Sequence, residues 1–196
     1  TRYTGGNFHV CHRDVNADEN VLVDAINANT IGAANPELVR AVARDSRAAV
    51  QWLKGKGIRF IKAGVSDPSR FNTLAPPPPI KAGLDWEGRG GDVMMRTLKA
   101  ALEKFGGKMM TGARALALLK EGNRCIGVEI EYQSSRSAVR AANVVICDGG
   151  FQANPELLKE FITAQPEKLR QRGAGVSVGD GLKMARGIGA RIVDVG

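Results

Sequence analysis

Ala113-Arg-Ala-Leu-Ala-Leu-Leu-Lys-Glu-Gly-Asn-Arg-Cys-Ile-Gly-Val-Glu-Ile-Glu-Tyr132 holds two strand-forming runs on either side of Glu121-Gly122-Asn123-Arg124. Residues 113–120 are apolar enough to be a buried strand, and the Gly-Asn turn reverses the chain into a hairpin. In residues 125–132, Ile126, Val128 and Ile130 point one way while Glu129 and Glu131 point the other. Residues 133–137 read as a second turn and residues 139–147 as a third strand. The Val144-Val145-Ile146-Cys147 end of that strand has the unbroken apolar character of a sheet centre. The middle of the chain is therefore a three-stranded antiparallel meander running into a parallel sheet.

Helices flank it. A short helix is expected near residues 20–27. Asn35-Pro36-Glu37 is a helix start with Asn as N-cap, Pro at the first helical position and an acid in the first turn. Leu38, Val39, Val42, Ala49, Val50 and Leu53 then share one arc, with Arg40, Arg44, Arg47, Gln51 and Lys54 opposite. Gly55 and Gly57 end that helix. Residues 58–61 read as a short strand. A second helix spans residues 92–105, with Asp92 as its cap and Met94, Met95, Leu98, Ala101, Leu102 and Phe105 as its apolar stripe, stopped by Gly106-Gly107. Residues 108–111 are expected to be a short strand. Asn154-Pro155-Glu156 repeats the earlier start and opens a helix to about Thr163. Gly179-Asp180-Gly181 starts a last helix, residues 182–188, and residues 191–195 read as a terminal strand. Helices and strands in this order indicate a mixed α/β layer structure.

The 196 residues fit one domain, with residues 1–90 as a loop and helical segment and residues 91–196 as sheet, meander and last helix. The run Pro76-Pro77-Pro78-Pro79 reads as a stiff extended connection rather than a recognition motif. No apolar run approaches the ~20 residues that cross a bilayer, and no charged-then-apolar leader opens the chain. Cys11, Cys125 and Cys147 are too few and scattered for a disulfide framework, so a reducing cytoplasm is expected. The net charge of +8 is spread along the chain, and aromatic residues make up only 5%, so the platforms that stack single-stranded nucleic acid are lacking. The surplus suits an anionic small-molecule partner, and neither nucleic acid nor membrane is expected.

Glycine clusters are the main chemical signal, because a residue without Cβ lets backbone approach a ligand closely. They occur at Gly5-Gly6, Gly88-Arg89-Gly90-Gly91, Gly149-Gly150 and Gly179-Asp180-Gly181. The second cluster opens a helix whose free N–H groups suit a phosphate, but Asp92 is placed to occupy them. His9, Cys11 and His12 lie close together without the second ligand pair that a zinc site needs. If residues 8–12 form a strand, His9 and Cys11 share one face and His12 takes the other. No Gly-x-Ser-x-Gly elbow or Walker-type phosphate loop is present.

The run of residues 90–154 resembles the flavin domain of the fumarate reductase and succinate dehydrogenase flavoprotein family, which includes tricarballylate-dehydrogenase-like and ketosteroid-dehydrogenase-like proteins. The resemblance rests on a helix with a glycine break, a strand, a hairpin and the turn Cys147-Asp148-Gly149-Gly150-Phe151 followed by Gln152-Ala153-Asn154. The stretch Gly179-Asp180-Gly181-Leu182-Lys183-Met184-Ala185, with Gly189-Ala190 after it, is similar to the family's Gly-Asp-Gly helix. The opening Thr1-Arg2-Tyr3-Thr4-Gly5-Gly6 is similar to the loop that runs under the flavin. The resemblance implies a partial Rossmann-like FAD-binding domain. Thr1 would touch the pyrophosphate region, and Gly5 and Gly6 would pass beside the flavin ring. Ala115 would offer backbone groups to the adenine. Gly149 and Gly150 would lie near the phosphate and sugar portion, and Asp180 near the cofactor. Plain turns at the glycines and an N-cap role for Asp180 are the structural alternatives. His9, near Gly5-Gly6, is placed to line a substrate cavity.

Asp148 stands where the family has Thr, which puts an acid near an anionic cofactor. The Gly-x-Gly-x-x-Gly fingerprint is absent and expected upstream of Thr1, and the substrate-capping region, with the catalytic residues, is expected beyond Gly196. The chain accordingly reads as an internal fragment of an FAD-dependent dehydrogenase or reductase, inactive alone, with weak FAD binding or none. The full enzyme would move hydride between FAD and a carbon–carbon bond of a carboxylate or ketone. The alternative is a non-catalytic α/β module that binds an anionic ligand or a protein. Exposed sheet edges give such a fragment a route to self-association.

Overall fold

The computed structural model describes residues 4–75 and 87–193. The chain forms two compact units, Thr1–Met109 and Met110–Gly196. Thr1, the four-proline run and the last two residues of the expected terminal strand lie outside the described residues.

The first unit opens with a small hairpin of β1 (His9–Val10) and β2 (Arg13–Asp14), paired His9 to Asp14 and Val10 to Arg13. Cys11 and His12 have φ of 43° and 62°, the left-handed pair that a tight two-residue hairpin turn requires. The chain therefore reverses within residues 8–12 and does not run through them as one strand. The His12 N–H donates to His9 Nδ1 at 3.1 Å, and the two rings stack with centroids 5.0 Å apart. His9 and Cys11 thus do not share a strand face.

Two helices carry the core. Helix α1 (Glu19–Asn29) is capped by Asp18, whose carboxylate accepts from the Asn20 N–H. Helix α2 (Pro36–Gly55) starts as the sequence requires: the Asn35 side chain accepts from the N–H groups of Glu37 and Leu38. Val39, Ala43 and Val50 of α2 pack with Leu22 and Ile26 of α1 and with Val10 and Val15. Leu38 and Val42, expected on the packed arc, are exposed. The buried stripe faces α1 and β1, and those two side chains lie one step around the helix, outside the contact.

Strands β3 (Phe60–Ile61) and β4 (Thr73–Leu74) pair antiparallel, and Asn7 forms a bridge with Thr73. Helix α3 (Gly90–Lys104) follows. Its N-cap is Arg89 and not Asp92. Asp92 sits three residues into the helix, fully buried, and accepts from the Gly88 N–H at 3.0 Å and from Arg96 Nε at 2.9 Å. An acid at this position can reach back to the orphan donors ahead of the helix, as in a capping box. Met94 is buried beside Leu53, Ile58 and Leu74, whereas Leu102 and Phe105 at the far end of the stripe are exposed.

The second unit is built on one antiparallel sheet of β5 (Arg114–Glu121), β6 (Arg124–Tyr132) and β7 (Ser135–Arg140), in that order. This is the expected meander, with the second turn tightened to Gln133-Ser134 at φ of 52° and 63°. Helix α4 (Pro155–Phe161) follows Asn154, which accepts from the N–H groups of Glu156 and Leu157. Helix α5 (Asp180–Gly187) packs along β5.

The parallel sheet is not formed among the described residues, where every strand pairing is antiparallel. Residues 108–111, 144–147 and 191–193 form no strand. A strand needs a neighbour to take its backbone N–H and C=O groups, and these segments have none here. Val145 is 83% exposed as a result.

Candidate functional site

Each unit carries part of the predicted residue set. In the first, Gly5 and Gly6 differ in kind. Gly6 is buried at φ +69°, and a Cβ there would meet Leu74 Cδ1 at 2.5 Å. Gly90 is closed off by the same Leu74, whose Cβ and carbonyl oxygen lie 2.6 Å from the Cβ position. Leu74 is thus gripped between two glycines, and its N–H donates to Gly6 O at 2.9 Å. Gly6 has a packing role. Gly5 is exposed, with nothing within 4 Å of its Cβ position. Packing does not demand glycine there, and the backbone is open to close approach by a ligand.

His9 lines an open groove of about 410 Å³ between β1 and α2, together with Val42, Ala49 and Val50. Asp14, at the end of the hairpin, accepts from Asn16 Nδ2 at 2.8 Å and Asn72 Nδ2 at 2.7 Å. Burial pushes its carboxyl up, but hydrogen bonds from the Asn16 backbone and the two amides outweigh this and hold it below the usual carboxylate value. Among the described residues no cluster of His, Cys, Asp and Glu is arranged to hold a metal.

In the second unit the fold brings Gly149-Gly150 against Gly179-Asp180-Gly181. Four contacts knit the two segments. Ala153 N–H donates to Ser177 O at 2.9 Å, and Asn154 Nδ2 donates to Val178 O at 2.9 Å. Gly179, at φ +76°, packs so tightly on Leu157 and Phe151 that a Cβ would meet them at 2.5 Å and 2.8 Å. The Gly181 N–H donates to Asp148 Oδ2 at 2.6 Å. Gly149 itself turns at φ +89°. Packing and backbone conformation thus account for glycine at Gly149 and Gly179.

Ala115 and Asp180 meet in a cleft of about 290 Å³ between β5 and α5, which Lys183, Met184 and Ile188 also line. Asp180 is the first residue of α5, not its cap; the N-cap is Gly179. Its carboxylate accepts from Arg114 Nη2 at 3.0 Å and Nε at 3.3 Å. At the other end of the helix Lys120 Nζ donates to Ile188 O at 3.0 Å. Two cations of one strand therefore hold both ends of α5. Strand β5 is the sheet's edge, so alternate backbone groups along it lack a strand partner and remain open to hydrogen-bond a ligand. Arg114 and Lys120 were not legible as site residues, because a cation on a strand gives no hint of the helix it meets 66 or 68 positions on.

The sequence pattern of the FAD binding domain family (FAD_binding_2) matches residues 5–195. The chain belongs to that family. FAD is accordingly its cofactor, and its curated relatives are oxidoreductases. It is 24% identical over 166 residues to an NADH:acrylate oxidoreductase of Vibrio harveyi, covering 82% of this chain and 16% of that protein. It is 24% identical over 163 residues to a vinyl phenol reductase of Lactiplantibacillus plantarum, covering 81% of this chain and 31% of that protein. The chain thus spans less than a third of the length of these curated relatives. The fold is similar to part of a flavocytochrome c3 fumarate reductase (TM-score 0.76, 19% identity, 96% of this chain and 33% of the other). It is also similar to part of a 3-ketosteroid-delta4-(5alpha)-dehydrogenase from Rhodococcus jostii RHA1 (TM-score 0.77, 17% identity, 97% of this chain and 46% of the other). Among the described residues no helix is long and apolar enough to cross a membrane.

The residues present fit a dinucleotide such as FAD in part. In the second unit the edge of β5 at Ala115 leaves backbone groups open, and Asp180 beside it carries a carboxylate acceptor. The Gly181 N–H in the first turn of α5 does not offer itself to a phosphate, because Asp148 already takes it.

Proposed function

We propose that this chain is the cofactor-holding part of an FAD-dependent oxidoreductase acting on a carbon–carbon bond next to a carboxylate or ketone. The observation that carries the reading is the cleft joining Ala115 to Asp180, in a chain matched by the FAD pattern over nearly its whole length. Both units belong, in this reading, to a single FAD-binding domain. Bound FAD supplies the hydride acceptor or donor; the chain positions the cofactor and tunes its surroundings. Asp180 accepts from cofactor hydroxyls once Arg114 yields it, the edge of β5 at Ala115 meets the base, and Gly149-Gly150 passes the phosphate and sugar portion. Gly5 leaves room for the ring, with Gly6 fixing the loop on Leu74. Acrylate and vinyl phenol, the compounds in the relatives' names, both carry a carbon–carbon double bond, which supports such a bond as the reacting group; acrylate also carries the neighbouring carboxylate.

The test is the chain extended at both ends by its native flanking sequence. It is expected to purify with flavin absorbance and to oxidise a reduced dye when given an α,β-unsaturated acid or ketone. Asp180→Ala is expected to weaken FAD binding about tenfold or more, the loss of a hydrogen bond to a charged group. An extended protein that stays colourless after incubation with FAD would sink the proposal.

A further inference from the structure

The N-terminus of α5 lacks a cap of its own: its N-cap Gly179 has no side chain to offer, and Asp180 turns its carboxylate to Arg114. Orphan N–H groups at a helix start attract anions, which the helix dipole also favours. The anion present is Asp148, more than thirty positions earlier, and its 2.6 Å bond from the Gly181 N–H is in the short range of a charge-assisted contact. Glycine at 181 is part of the arrangement, because a Cβ there would overlap the Asp148 carboxylate and the Ile146 methyl group.

We propose that Asp148 is a positioning residue whose carboxylate caps α5 from a distance, docks the Gly149-Gly150 turn on the Gly-Asp-Gly helix, and bars a phosphate from that helix end. Two consequences follow from the geometry. The turn and the helix move as one piece, since the bond joins the residue before Gly149 to the residue after Asp180. A pyrophosphate brought to this region finds the α5 donor taken and a negative charge beside it, so its partners are other groups. That second consequence rests on the FAD reading above; the capping does not.

The experiment uses backbone amide exchange and inorganic pyrophosphate titration, both followed by NMR at the Gly181 amide. Asp148→Ala is expected to speed Gly181 exchange about tenfold or more, as loss of a charge-assisted bond implies. It is also expected to make the Gly181 amide respond to pyrophosphate, which the wild-type amide does not. A merely structural role would leave that anion response unmoved. Asp148→Asn keeps an acceptor and removes the charge, so intermediate protection and a weaker pyrophosphate response are expected, and this variant serves if the alanine protein does not fold. Equal Gly181 protection in wild type and both variants, or a pyrophosphate response already present in wild type, overturns the proposal. Neither readout involves FAD, so failure to bind FAD would defeat the cofactor reading and leave this one standing.

Discussion

Asn35-Pro36-Glu37 and Asn154-Pro155-Glu156 are the same helix start written into two different surroundings. Both asparagines accept from two N–H groups of the first turn. The Asn35 side chain makes no further hydrogen bond among the described residues, and its helix is secured by a core of Leu22, Val39, Ala43 and Val50. Asn154 is buried and also donates to Val178 O, tying α4 to the segment that leads into Gly-Asp-Gly. The contrast extends to the two units. The first rests on apolar packing. In the second, Ile130 and Leu157 are the hydrophobic residues buried among those described, and hydrogen bonds and glycine contacts link its parts. A local motif therefore sets where a helix begins, while the surroundings set how much depends on it.

The largest expected effect breaks the first unit and spares the second. Leu22 is 1% exposed, so Leu22→Ala is expected to lower the first unit's stability by about 2–5 kcal/mol, read from denaturant unfolding. Amide exchange in β5 and β6 should stay as in wild type if the two units are separately held. Next comes the paired asparagine test. Asn35→Ala is expected to cost about 1 kcal/mol. Asn154→Ala is expected to cost about 2–3 kcal/mol, because it also leaves Val178 O without its buried partner. Equal losses in thermal unfolding would show that the two starts are energetically alike after all.

The smallest effect concerns acid. Asp14 has a carboxyl held below its ordinary value of 3.8, so its contribution to stability is complete above that value and fades as the pH falls through the lower folded value. Asp14→Asn is expected to remove that contribution, so the variant is slightly less stable than wild type near neutrality and the two stability–pH curves converge as the pH falls below ~4. An unaltered acid limb would show that the Asn16 and Asn72 bonds carry no linkage.

Helix starts were readable from single residues. The Asn caps, the prolines after them and the glycines at Gly57 and Gly106 act through neighbours within one turn, and these boundaries stand within a residue or two. Asp92 shows the limit of that reading: expected as the N-cap that takes the helix's own first N–H groups, it stands at the third helical position and accepts backwards from the Gly88 N–H. The hairpin β5–β6 was equally legible, because alternation and a Gly-Asn turn are local. Leu38 and Val42 were misjudged because a helix arc names a side, and only the neighbour chooses how wide a side is covered.

Of the candidate site, the sequence supplied the glycine clusters directly, and the family resemblance added Ala115 and the cofactor role of Asp180. What they could not supply was purpose. Gly6 and Gly179 are glycines because Leu74, Leu157 and Phe151 leave no room for a Cβ, while Gly5 faces open space. Asp148, read from the sequence as an acid near an anionic cofactor, also accepts from the N–H of Gly181, more than thirty positions on. The physical reason is one of range. Caps, turns and alternation act over a few residues and are written in the chain; close packing and long-range carboxylate or guanidinium contacts exist only once the fold has set distant segments side by side.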